Sequence, residues 1–170
     1  LLQGNAMTET VQSLKSIPHS LEAERAVLGA VMLDNRAWDH VVDRLTVNDF
    51  YVPEHQSVFS GLEKLSARNQ PFDVLTLAES LKAVGQLEAV GGEAFLYEIV
   101  QNTPSAANVK SYADIVREKA ILRQLIAAGT EIISNAYEKT GTDVRELLDI
   151  AESKVFNIAE QNSRGTGPIN

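Results

Sequence analysis

The sequence predicts an all-α protein, a compact bundle of short helices followed by a long projecting antiparallel helical hairpin. Three observations predict it. Apolar residues recur at helical spacing, and no stretch alternates apolar and polar residues with the β-branched richness of a strand. Capping residues, proline and glycine divide the first hundred residues into pieces of a few turns. Residues 108–137 then run without proline, broken only by Gly129.

The 170 residues are enough for one domain with a substantial core. Hydrophobic residues at 44% and charged residues at 22% are ordinary globular values. Residues 1–6 are expected to derive from a cloning vector, with Met7 as the natural start, so 1–16 is set aside as tag or disordered N-terminal segment.

Ser20 is a good N-cap, and Leu21, Val27, Leu28, Val31 and Met32 follow at helical spacing before Asp34 and Asn35 stop the run. Gly29 inside this helix predicts a close approach of another helix. A short helix over 37–45 presents Trp38, Val41, Val42 and Leu45. Pro53 starts the next at its first position, with Val58, Phe59, Leu62 and Leu65 as the buried stripe. Asp73 caps a helix that carries Val74, Leu77, Ala78, Leu81 and Val84 and stops near Gly85. Gly91 and Gly92 turn the chain into a short helix over 93–100. Trp38, Phe59, Leu62 and Leu81 are expected to be ordinary core.

At 1.5 Å per residue, a helix over 108–137 is about 45 Å long. A head of about 90 residues is only about 30 Å across, so the helix must project beyond it. Thr140, Gly141 and Thr142 turn the chain, Thr142 or Asp143 caps the return, and a second helix over 144–160 closes an antiparallel hairpin. Tyr112, Ile115, Leu122, Ile126, Ile133 and Tyr137 fall on one stripe of the long helix, and Ile121, Leu125, Ile132 and Ala136 on its neighbour. Together they span roughly 180°, against the roughly 100° that one packing partner needs. On the return helix, Val144, Leu147, Leu148, Ala151, Val155 and Ile158 form the expected face, with Ile150 and Phe156 off it. The surplus predicts self-association or a partner site; the alternative is a hairpin folded back on its own head. The domains are therefore 17–105 as head, 106–162 as hairpin, and 163–170 as the start of a linker, from its Ser, Gly and Pro content.

The net charge of −8 and the absence of a basic run oppose a stand-alone DNA-binding or regulatory protein. No cysteine is present, which excludes disulfides and thiolate metal sites. No apolar run approaches the roughly 20 residues that cross a bilayer. A phosphate-binding loop needs Gly-Lys before Ser or Thr, but Lys15, Lys110 and Lys139 follow Leu14, Val109 and Glu138. His19, His40 and His55 lie on separate elements, so no zinc site is indicated; His40 and Asp43 read as an exposed surface pair. Glu22 and Glu24 read as first-turn acids that complement a helix dipole. No serine-nucleophile elbow occurs. No catalytic, cofactor or metal-binding residues are expected, and a metal-dependent helical enzyme is disfavoured.

Several segments together resemble a known family. Pro18-His19-Ser20-Leu21-Glu22-Ala23-Glu24 runs into Val27-Leu28-Gly29 and Met32-Leu33-Asp34, and Asp49-Phe50-Tyr51 and Leu75-Thr76-Leu77-Ala78-Glu79 follow. Gly85-Gln86-Leu87, Val90-Gly91-Gly92 and Asn102-Thr103-Pro104-Ser105-Ala106-Ala107-Asn108 come next, then Tyr112-Ala113-Asp114-Ile115-Val116 and Leu148-Asp149-Ile150-Ala151-Glu152. In this order and spacing they resemble the N-terminal domain of bacterial replicative DNA helicases of the DnaB type. The resemblance implies a non-catalytic collar domain in a hexameric ring, assembled as a trimer of dimers. Its partners would be other copies of itself, primase and the helicase loader. ATP, magnesium and DNA would belong to a RecA-like motor beyond the linker, in a cytoplasmic protein. The interface residues expected are Ile126, Ile132, Ile133, Leu147, Leu148 and Phe156 in the hairpin and Phe95 in the head.

Overall fold

The computed structural model describes residues 16–138, 141 and 143–166. The segment read as a tag lies outside these residues, apart from Ser16. So do Thr140 and Thr142 of the expected turn.

Eight α-helices and two single 3-10 turns are present among the described residues. Helix α1 spans Leu21–Leu33, and Ser20 accepts a hydrogen bond from the Ala23 amide, as a cap should. A 3-10 turn at Asn35–Ala37 leads into α2, Trp38–Val42, and a second one, Val47–Asp49, precedes α3, Pro53–Ala67. Helix α4, Val74–Ala83, starts at Asp73, whose carboxylate accepts from the Thr76 amide while the Thr76 hydroxyl accepts from the Asp73 amide. A four-residue helix, α5 (Leu87–Val90), stands between Gly85 and the Gly91–Gly92 turn, where the sequence reading assigned no element. Gly91 and Gly92 then adopt φ of 111° and 73°, a left-handed backbone that favours glycine, and lead into α6, Gly92–Gln101.

The head closes around one core. Val27, Leu28, Val58, Leu62, Leu77 and Leu96 are fully buried, and Trp38 lies between Phe59 and Phe72 at 5.3 and 5.4 Å between ring centroids. Gly29 does meet a close approach. A methyl group there would collide with Thr103 and come within 3.0 Å of the Ile99 carbonyl. Leu21, Val42 and Val84, read as apolar-face residues, are exposed instead. All three stand at the ends of their helices, where the neighbouring elements no longer cover the periodic face.

Helix α7 spans Val109–Glu138 and α8 spans Val144–Thr166. Val109, Ala113 and Val116 are part of the head core, so α7 is rooted there. Its later turns pack against α8, which runs antiparallel, with Glu131 paired to Lys154 at 2.7 Å. Asp143 occupies the cap position of α8, accepting from the Leu147 amide through its carbonyl. Helix α8 continues through residues 163–166, which were expected to open a linker. No proline stands between Val144 and Pro168, and one glycine, Gly165, costs a helix only about 1 kcal/mol.

Candidate protein-interaction site

The phase of α7 sorts its apolar residues into two sets. Ile121 and Ile132 are half-buried on the side that meets α8, together with the buried Ala128. Ile115, Leu122, Ile126, Ile133 and Tyr137 lie on the other side and are exposed. Exposure along this stripe rises from 38% at Leu122 through 52% at Ile126 to 60% at Ile133. The head does not cover it, so the hairpin is not folded back. Helix α8 adds Val144, Leu148 and Val155 as a second exposed flank. Contiguous apolar surface of this kind is characteristic of protein interfaces.

The expected interface residues do not form one surface. Ile126 and Ile133 sit on the outer stripe, and Leu148 lies on the α8 flank. Ile132, Leu147 and the more exposed Leu148 line the 340 Å³ cleft between the two helices, along with Ala136, Val144 and Ala151, and Ile132 and Leu147 are half-buried there. Phe156 is 64% exposed but lies nine residues after Leu147, half a turn round from the α7-facing side. Phe95 is half-buried in the head; its ring stacks over His55 at 6.1 Å, and Arg25 lies 5.6 Å from its centroid.

Sequence reading missed the polar groups inside the head. Glu24 is buried, and its carboxylate accepts from the Tyr51 and Val52 amides at 3.0 and 3.3 Å and pairs with the buried His55 at 2.8 Å. Glu24 therefore joins α1 to the start of α3 as well as standing in the first turn of its helix. Buried Asp49 pairs with Arg117 of α7 at 2.7 Å and accepts from the Thr46 amide at 2.9 Å. His40 and Asp43 are exposed, as read. Among the described residues no group of three or more His, Asp or Glu side chains is placed to hold a metal ion. None of the helices is long and apolar enough to cross a membrane, among the same residues.

A small helical head bearing a long hairpin with an uncovered apolar stripe belongs architecturally to the class of helical scaffold modules. Comparison with known proteins specifies which. Residues 16–118 match the model of the DnaB-like helicase N-terminal domain, and the chain belongs to that family. It is 47% identical over 154 residues to the replicative DNA helicase DnaB of Haemophilus influenzae, covering 90% of this chain and 33% of that one. It is 43% identical to the DnaB of Buchnera aphidicola, covering 94% of this chain and 35% of that one. The chain thus spans about a third of the length of these relatives. The solved N-terminal domain of the DnaB helicase from Mycobacterium tuberculosis superposes with a TM-score of 0.80 at 38% identity, covering 84% of this chain and 99% of that one. A structure of a DnaB-like replicative helicase, described with its interactions with primase, shares the fold at a TM-score of 0.67 and 23% identity, covering 82% of this chain and 30% of that one.

Proposed function

We propose that this chain is the non-catalytic N-terminal collar domain of a hexameric replicative DNA helicase. In this reading it mediates self-association, as a dimer and then a trimer of dimers, and docks primase and the helicase loader. The observation that carries the proposal is the outer stripe of α7, exposed over five apolar positions from Ile115 to Tyr137. A surface of that size is unfavourable in water and is stabilised by a partner. The solved DnaB-like helicase described with primase supports the choice of primase as one partner.

ATP hydrolysis, magnesium binding and DNA unwinding fall to a RecA-like motor elsewhere in the complete protein, which works in the cytoplasm. The acidic balance of this chain, with a net charge of −8, supports leaving the grip on DNA to that motor.

The test is a paired substitution on the stripe, Ile126→Glu with Ile133→Glu, measured for self-association and for binding to the cognate primase. The expected result is loss of self-association, with or without loss of primase binding, and an unchanged helical circular-dichroism signal. Self-association at the parent's level would refute the proposal. Leu147→Glu is a poorer choice, because Leu147 faces the inside of the hairpin and its replacement disturbs the α7–α8 contact as well.

A further inference from the structure

We infer that Arg123 is the latch that sets the angle of the hairpin on the head. The core holds α7 only through its first turns: Val109, Ala113 and Val116 belong to the core cluster, and Ala120 is the last buried residue before Ala128.

Arg123 stands where core packing ends. Its Nη1 donates to the Pro18 carbonyl at 2.8 Å and its Nη2 to the Asp49 carbonyl at 2.7 Å. Its guanidinium lies 5.4 Å from the centroid of Tyr51, and His19 stacks on that ring at 4.5 Å. One side chain thus joins α7 to two separate segments, 17–19 and 49–51. Arg117 holds the same loop from the side, through the Asp49 carboxylate at 2.7 Å. Charge-assisted bonds of this length are about twice as strong as neutral ones. The planar fork that makes two of them while lying on an aromatic ring has no lysine equivalent.

The position gives the latch leverage. Glu138 lies 15 residues beyond Arg123, about 22 Å along the helix. A tilt of about 10° at Arg123 moves that end by about 4 Å, comparable with the 5–6 Å between neighbouring side chains on a helix face. Loss of the latch would therefore shift the far end of the outer stripe, near Tyr137, by most of one side-chain position relative to whatever covers it.

The test measures the angle directly. The chain has no cysteine, so Glu63→Cys in α3 and Arg145→Cys in α8 place two spin labels, one on each body. Labelled chain diluted into an excess of unlabelled chain reports intramolecular distances only. The parent should give one narrow distance distribution. Arg123→Gln should widen it about two-fold or more with helicity retained, and Arg123→Lys should widen it too. A chain beginning at His19, which lacks the Pro18 carbonyl, should fall between. An unchanged distribution in Arg123→Gln overturns the inference. If that variant does not fold, unchanged widths in both Arg123→Lys and the shortened chain overturn it equally.

Discussion

The head and the hairpin are built from the same kinds of residue and solve opposite problems. In the head, Leu28, Leu62, Leu77 and Leu96 are completely buried, and the charged side chains of Glu24 and Asp49 are enclosed with partners. In the hairpin, Ile126, Ile133, Leu148 and Phe156 all stand more than half exposed. Apolar residues enclosed by their own chain stabilise the fold, whereas those left open on the hairpin are free to meet a partner. On the proposed function, substitutions in the head should be read as folding energy and those in the hairpin as association energy.

The contrast can be broken most severely in the head. Glu24→Ala leaves the buried His55 and two part-buried backbone amides without their acceptor, and should destabilise the chain by about 3 kcal/mol or more in urea unfolding, at about 1–3 kcal/mol for each group left unsatisfied. Gly29→Ala drives a methyl group into Thr103, and overpacking of this kind should cost about 1–3 kcal/mol in the same measurement. Ser20→Ala removes the cap of α1 and should cost about 1 kcal/mol.

A smaller effect is electrostatic. Hydrogen bonds from Arg36 hold the exposed Asp34 carboxyl below its ordinary value. A depressed carboxylate contributes its stability above the usual range and loses it as pH falls through the folded value. Arg36→Ala removes the side-chain bonds but keeps the residue-36 amide, so the Asp34 titration, followed by NMR, should rise part of the way toward the ordinary carboxylate range. Smallest of all on folding is Ile126→Glu with Ile133→Glu, which should change the unfolding free energy of the monomer by less than about 0.5 kcal/mol per site.

Most helix starts were legible because local chemistry specifies them. Ser20, Pro53 and Asp73 each act within a few residues of themselves, and their helices begin where they predict. The hairpin was legible because a 30-residue helix is longer than the head is wide, whatever the head's details. What could not be read depends on partners distant in the chain. Glu24 and His55 are 31 residues apart, and Arg117 and Arg123 meet Asp49 from 68 and 74 residues away. None of these spacings leaves a periodic trace. Val42 and Val84 failed for a related reason: periodicity says which face they share, and only the fold says where the covering element ends. Among the proposed interface residues, helical phase kept Ile126 and Ile133 on the open side, while Ile132 and Leu147 line the inner cleft and Leu148 stands at its exposed edge.

Sedimentation equilibrium across a concentration series tests the division between the two regions most directly. The parent chain should show reversible association, and the Ile126→Glu, Ile133→Glu variant should remain monomeric over the same range while melting at nearly the parent's temperature. A parent that is monomeric at every concentration, or a variant that associates as the parent does, would contradict the account.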